Sequence, residues 1–171
     1  MNDFQPRPAN INDARLIQQL ATEIWHDYYP VVISITQIEY MLKTLYSEEK
    51  LRTDIEQQRI QFTLFEWQQQ SVGFLGCIIQ EQQHLFLNQI YLQTAFHGRG
   101  LGQQMLQYAE QFALQQHLSS ICLRVNKGNA KAITAYQRAG FYKAEAVCNE
   151  IGQGFVMDDY IMRKALSVQP T

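Results

Sequence analysis

The sequence predicts an α/β fold: a mixed, mostly antiparallel central sheet of about six to seven strands with helices on both faces. Three observations carry this reading. In the first third of the chain apolar residues recur at three- and four-residue spacing. Between Ile60 and Leu92 the pattern changes to runs rich in Phe, Ile and Val, separated by glutamine-rich polar turns. After a glycine-rich turn at Gly98, Gly100 and Gly102 helical spacing returns, and further strand-like segments close the chain. With 171 residues, 46% of them hydrophobic, the chain has material for one core and is read as a single domain, residues 1–171.

Residues 4–8 read as a short edge strand, where prolines are tolerated. Asn10 or Asn12 offers a cap for a first helix, in which Ile17, Leu20, Ala21, Ile24, Trp25 and Tyr28 share a face and which Pro30 limits. Ser34 and Gln37 have the spacing of a capping box for a second helix, with Ile38, Met41, Leu42, Leu45 and Tyr46 as its buried stripe. A third short helix starts near Ser47. Strands at 60–67 and 72–80 flank a polar hairpin loop at 68–71, and a second turn at 80–83 leads into a strand at 84–92. Leu101, Met105, Leu106, Ala109, Phe112 and Ala113 form one face of a long helix after the glycines. Residues 120–125 make a short apolar strand, expected to be buried on both faces. The last two strands are expected at 142–149 and 155–162, with Gly152 and Gly154 in the turn between them.

Several function classes are disfavoured by composition. A net charge of −2 with only 14 Lys and Arg provides no basic field for nucleic acid. The N-terminus Met1-Asn-Asp-Phe-Gln-Pro is polar, and no apolar run approaches about 18 residues, so neither a signal peptide nor a membrane span is expected and the reading is cytoplasmic. Cys77, Cys122 and Cys148 are odd in number and far apart, which suggests reduced, buried thiols. His26, His84, His97 and His117 lack the spacing of a metal site, and no metal is expected.

The glycine turn is the strongest local signal. Alternating glycines between a strand and a helix allow positive φ and close approach to the main chain, and the helix start presents N–H groups and a partial positive charge. Such a turn suits a phosphorylated cofactor. Its G-x-G-x-G spacing, its place past the middle of the chain, and the absence of a carboxylate between His117 and Leu123 count against a nicotinamide dinucleotide. A P-loop is excluded because no G-x-x-x-x-G-K-[ST] occurs.

A second segment, from Arg124 to Phe141, contains a strand end, an Asn cap, a short helix carrying Tyr136, and a Gly140 stop before an aromatic residue. The pair of segments resembles the GNAT superfamily of N-acetyltransferases. The resemblance rests on His97-x-x-Gly100-x-Gly102, against the family's Q/R-x-x-G-x-G/A loop, and on Asn126-x-x-Asn129-x-x-Ala132-x-x-x-Tyr136-x-x-x-Gly140-Phe141. It covers most of the chain in element order, with His97 standing where the family usually has Gln or Arg. It implies acetyl transfer from acetyl-CoA (coenzyme A) to an amine, without a metal. Cofactor contacts then fall to Ile90, Tyr91 and Leu92 through their main chain, and to His97, Gly98, Arg99, Gly100, Leu101 and Gly102 in the loop. Asn126 and Asn129 read either as cofactor contacts or, for Asn129, as a helix cap.

By the same resemblance Tyr136 is the catalytic acid for the departing thiolate. Full proton transfer from an ordinary Tyr to an ordinary thiolate is uphill by about 2 kcal/mol, so Tyr136 must be tuned or act mainly by hydrogen bonding. The base is harder to read. An alkylamine is neutral in about one molecule in 2,500 at pH 7, a handicap of ~4.6 kcal/mol. No Asp or Glu occurs between Glu81 and Glu110, and the strand before the glycines offers His84 and Asn88 instead. A water chain, His26 or Asp27 are the alternatives. Trp25, Tyr28 and Tyr29, together with the acidic Asp158-Asp-Tyr160, could cage a cationic amine such as a polyamine. The competing reading is aromatics that simply pack the first helix. A non-catalytic acyl-coenzyme A sensor, a protein N-terminal acetyltransferase and a cofactor-free interaction module remain open alternatives, as does a homodimer.

Overall fold

The computed structural model describes residues 3–81 and 83–167. Met1 and Asn2 of the polar N-terminus, and Gln82 of the turn expected at 80–83, lie outside the described residues. The strands are β1 (Phe4–Pro8), β2 (Gln61–Trp67), β3 (Gln70–Gln80), β4 (His84–Leu92), β5 (Ser120–Asn126), β6 (Tyr142–Gly152) and β7 (Phe155–Ala165). The helices are α1 (Ala14–Tyr28), α2 (Ile35–Leu45), α3 (Glu48–Glu56), α4 (Leu101–Gln115) and α5 (Ala130–Arg138). The seven strands form one sheet in the order β1-β2-β3-β4-β5-β7-β6. β4 and β5 pair parallel, whereas β1–β2, β2–β3, β5–β7 and β6–β7 pair antiparallel. The mixed, mostly antiparallel α/β architecture expected from the sequence is therefore present, with β1 on the edge as its prolines require. By contact density the chain divides into two compact units, Met1–Ile78 with Gln89–Met105, and Ile79–Asn88 with Leu106–Thr171.

In the first unit, polar caps set the helix starts. Asn10 accepts from the Asn12 N–H at 2.9 Å and donates its own N–H to Asp13 at 2.8 Å, which closes a 3-10 turn ahead of α1. Arg7 of β1 reaches Asp13 at 2.9 Å and Glu66 of β2 at 2.8 Å. Ser34 and Ser47 accept from the Gln37 and Lys50 N–H groups and cap α2 and α3. The α1 face of Ile17, Leu20, Ala21, Ile24 and Trp25 is buried, as are Ile38, Met41, Leu42 and Tyr46. Leu45 departs from the expected stripe and is 38% exposed, because α2 ends there and Tyr46, beyond the helix, turns into the core instead.

The β2–β3 hairpin is tighter than the sequence suggests. Gln68 and Gln69 both have positive φ, 50° and 70°, so a two-residue turn replaces the expected four-residue loop and β3 begins at Gln70. Glutamines carry no alternation, which hid the first residues of the strand.

In the second unit β5 does not lie buried on both faces. Ile121, Leu123 and Val125 are buried, while Ser120 and Cys122 are half-buried and Arg124 is exposed. The alternation arises because the other face of this strand carries only polar or small side chains. β6 and β7 run longer than expected and turn through Gln153 (φ 52°) and Gly154 (φ 77°), with Gly152 as the last residue of β6. The expectation of buried thiols holds for Cys77 alone, whose burial pushes its pKa up to about 12; Cys122 is half-buried and Cys148 is exposed. Among the described residues no helix is long and apolar enough to cross a membrane, and no cluster of three His, Cys, Asp or Glu side chains is placed to hold a metal ion.

Candidate active site

The glycine turn belongs to the first unit and is built from the end of β4. Two contacts to α1 secure its approach: Gln93 donates to Glu23 at 3.0 Å, and the Thr94 hydroxyl donates to Asp27. A 3-10 turn, Thr94–Phe96, then leads to His97, whose Nε2–H donates to the Leu92 carbonyl at 2.9 Å while its ring meets Tyr28. Because a carbonyl only accepts, the Nε2 nitrogen must carry the hydrogen. His97 thus staples the loop to the strand end. The Arg99 guanidinium lies over Phe96 at 5.2 Å. Gly98 and Gly100 both have φ of +76°, and among the described residues a Cβ added at Gly98, Gly100 or Gly102 would meet nothing within 4 Å. Gly98 and Gly100 are required by backbone conformation, and all three glycines leave the main chain open rather than relieving a crowded core. α4 starts at Leu101, which is buried and can offer only its main chain to a ligand.

Behind this loop, β4 breaks step. Leu85, Leu87 and Gln89 are buried in alternation, but the next buried residue is Leu92 rather than Tyr91. Two strand-interior glycines of β3 accommodate the irregularity. A Cβ at Gly73 would lie 2.5 Å from the Tyr91 carbonyl oxygen, and one at Gly76 would lie 2.1 Å from Gln89 Oε1. Tyr91 is ringed by Phe74 at 5.4 Å, Trp25 at 5.9 Å, and Tyr29 and Tyr46 at 6.3 Å. Burial pushes the Tyr46 phenol pKa well up, against hydrogen bonds from Tyr91 and Gln89 that favour its ionised form. Trp25, Tyr28 and Tyr29 are brought together as the sequence suggests. Trp25, only 3% exposed, stacks on Tyr29 at 4.6 Å and forms the floor, while Tyr28 and Tyr29 are half-buried above it.

The second unit holds the Asn126-to-Phe141 segment. Asn126 Oδ1 accepts from the Gly128 N–H at 2.8 Å, and its carbonyl accepts from the Asn129 N–H at 2.9 Å. Asn129 caps α5 through the Ala132 N–H at 3.2 Å. The helix ends in a Schellman motif: the Phe141 N–H reaches the Tyr136 carbonyl and the Gly140 N–H reaches the Gln137 carbonyl, both at 3.0 Å. Gly140 supplies the left-handed residue, with φ +92°. The apolar contact that accompanies this motif is the Tyr136 ring against Phe141, 6.0 Å between centroids. The Gly140-Phe141 pair therefore fixes the helix end on which the half-buried Tyr136 stands.

A family model described as the Acetyltransferase (GNAT) family matches residues 18–141, which takes in both segments. The chain belongs to the GNAT acetyltransferase family. Solved structures agree in fold. An N-acetyltransferase (PaiA) from Thermoplasma acidophilum, in complex with coenzyme A, superposes with a TM-score of 0.81 at 24% identity over 95% of this chain and 98% of that one. The spermidine N-acetyltransferase of Vibrio cholerae, in complex with CoA and spermine, gives 0.73 at 19% over 98% of each chain. The ribosomal-protein-S18-alanine N-acetyltransferase of Escherichia coli gives 0.74 at 16% over 98% and 96%.

In this GNAT chain the side chains considered as bases are already engaged. His26 Nδ1 lies 2.7 Å from the Thr22 carbonyl and Nε2 lies 2.5 Å from Glu39, so both ring nitrogens face acceptors and the imidazolium is the form that satisfies them. Asp27 accepts from Thr94, and His84 Nδ1 lies 2.5 Å from Ser120 Oγ in the second unit. Asn88 is exposed. The final-strand part of the expected amine cage is also filled by the chain itself. Asp158 pairs with Lys127, and the Tyr160 ring carries the ammonium groups of Lys143 at 4.3 Å and Lys127 at 5.6 Å. Asp159, only 1% exposed, is held above the usual carboxylate range by its burial. Of these features Gly73 and Gly76 went unread in the sequence; two glycines inside one strand were the available signal.

The His26–Glu39 tie has a testable pH dependence. Glu39, then the Thr22 carbonyl, raise His26 above its ordinary 6.5. The tie is therefore fully present below the unfolded-state pKa and is lost as pH rises through the higher folded-state value. Calorimetric Tm values of wild type and His26→Gln should differ most below about pH 6.5 and converge at higher pH. With both side chains more than a third exposed, the difference should stay within about 1 kcal/mol.

Proposed function

We propose that this chain is an acetyl-CoA-dependent N-acetyltransferase, residues 1–171 acting as one domain, which moves the acetyl group directly to a small primary amine in a ternary complex. The observation that carries this reading is the open glycine turn ahead of α4. A 15-residue helix start preceded by two left-handed glycines, with free space at all three Cβ positions, fits a pyrophosphate held by main-chain N–H groups of residues 98–102. Arg99 adds positive charge, and the main chain of Ile90, Tyr91 and Leu92 serves the pantetheine arm by strand-like pairing. Asn126 and Asn129 act by shaping the turn into α5. When bound, acetyl-CoA supplies an acyl thioester.

The remaining steps fall to the chain's own residues. A main-chain N–H of β4 polarises the thioester carbonyl. The Tyr136 hydroxyl holds a proton at the sulfur that leaves. With His26 and Asp27 engaged, the amine loses its proton to water. Tyr28 and Tyr29 over the Trp25 floor form an aromatic wall suited to a cationic amine, and the V. cholerae protein crystallised with spermine makes polyamines the first acceptors to try.

The test is thiol release from acetyl-CoA across a panel of polyamines, simple alkylamines and peptide N-termini. Release with small amines supports the proposal. Release only with peptides transfers it to the protein N-terminal class. Coenzyme A binding without release on any amine overturns it in favour of a sensor. A cofactor-free module would show no thermal shift, although a ligand at 100 times its Kd adds about 2.7 kcal/mol.

A further inference from the structure

The second unit contains a cavity of about 550 Å³ that the proposed reaction does not use. Its polar wall is Gln80, Glu81, His84, Ser120 and Arg163, with Cys122 between them. Sheet register explains why they meet. His84 of β4 is the cross-strand partner of Ser120, and Cys122 of β5 is the partner of Arg163, so one face of the sheet gathers them.

Hydrogen-bond donors prevail on this wall. His84 and Ser120 share one hydrogen across 2.5 Å. If Ser120 donates it, His84 Nε2–H remains as a donor; if His84 donates it, the Ser120 hydroxyl does. Whichever way that hydrogen points, one donor is left over. The Cys122 thiol points to Gln80 Oε1 at 3.9 Å, which occupies the acceptor end of that amide and leaves its NH₂ end. Arg163 gives one Nη2 bond to Glu145, at 3.0 Å, while its Nε is shielded from water and without a partner among the described residues. The guanidinium as a whole lines the cavity, and its Glu145 bond uses only one of its donors, so charge and further N–H groups are available to an acceptor there. Two carboxylates compete weakly for these donors: Glu145 already uses Nη2, and Glu81, on the cavity wall itself, is exposed to screening solvent.

We propose that this cavity binds a small oxyanion, of carboxylate or phosphate size, with the Arg163 guanidinium as its principal contact and the His84–Ser120 pair as its second. The site is independent of the acetyl-transfer reading and stands or falls without it. Inorganic phosphate and acetate are the probes, titrated separately into the ¹⁵N-labelled full-length chain, with sodium chloride at matched ionic strength as control. The Arg163 Nε–H resonance, assigned by its loss in Arg163→Lys, should shift saturably with either oxyanion together with the Ser120 and Cys122 amides. Dissociation constants read from those amides should rise at least about tenfold in Arg163→Lys and by a smaller factor in Ser120→Ala. Saturation with only one probe supports the site and identifies its source chemistry. Shifts that track ionic strength with chloride as well, or an unchanged constant in both variants, overturn it. The remaining amide spectrum of each variant reports that it has folded.

Discussion

Replacing Tyr136 by Phe should lower kcat at least about 10²-fold while leaving the Kd for acetyl-CoA within about threefold, since a positioned general acid contributes 10²- to 10⁴-fold. The factor corresponds to about 2.7 kcal/mol of transition-state stabilisation. The substitution leaves the helix end in place. What fixes the end of α5 is main chain, the Phe141 N–H to the Tyr136 carbonyl and the Gly140 N–H to the Gln137 carbonyl, and a Phe keeps both. The ring contact with Phe141 also survives, because it involves the aromatic face and not the hydroxyl. Pre-steady-state thiol release and a coenzyme A titration of the same preparation separate chemistry from binding. An unchanged kcat would remove Tyr136 from the acid role; a fall in kcat matched by a comparable loss of coenzyme A affinity would make it a binding residue.

The sequence is legible where a residue type has one dominant physical use. Helix faces follow from apolar spacing, and three- and four-residue intervals alone put Ile17, Leu20, Ala21 and Ile24 on the buried face of α1. Asn10, Ser34, Ser47 and Asn129 announce helix starts for the same reason. Both site segments are visible because glycines in left-handed conformations cluster there, at Gly98, Gly100 and Gly140. Gly140-Phe141 in particular has a mechanism, a Schellman end that holds the Tyr136 helix.

Less is visible where pairing decides a side chain's role. His26 and Asp27 read as candidate bases because their partners, Glu39 and Thr94, lie 13 and 67 residues away and reach them only through the fold. Asp158 and Tyr160 read as free to bind a cation, yet Lys127 and Lys143 already occupy them. Gln89 has the pattern of an ordinary polar strand residue, and its burial depends on the space that Gly76 leaves on the neighbouring strand. Strand lengths at the sheet edge escape the sequence for a related reason: hydrogen bonding extends β6 and β7 through residues whose alternation is too weak to read.

The glycine turn yields the other large effect, and here two neighbouring substitutions should act with opposite signs on stability. Gly100 sits at φ +76°, so Gly100→Ala forces an L side chain into the left-handed region at a cost of about 1–2 kcal/mol. No described residue lies within 4 Å of the new methyl, so the stability cost is that of backbone strain. Coenzyme A affinity should nevertheless fall by more than about tenfold, because relief of that strain turns main-chain N–H groups away from the phosphates, and charge-assisted bonds of this kind contribute about 1.5–3 kcal/mol each. Gly102 lies within the first turn of α4, without a positive φ, and its Cβ position is equally open. Gly102→Ala should therefore stabilise the fold by up to about 1 kcal/mol through helix propensity. It should hold affinity within about threefold, as the G/A alternative at that place in the family pattern implies. Thermal unfolding and coenzyme A titration of the two variants read both quantities. A Gly100→Ala protein that is destabilised yet binds coenzyme A as wild type does would mean that the phosphates are held somewhere other than this turn.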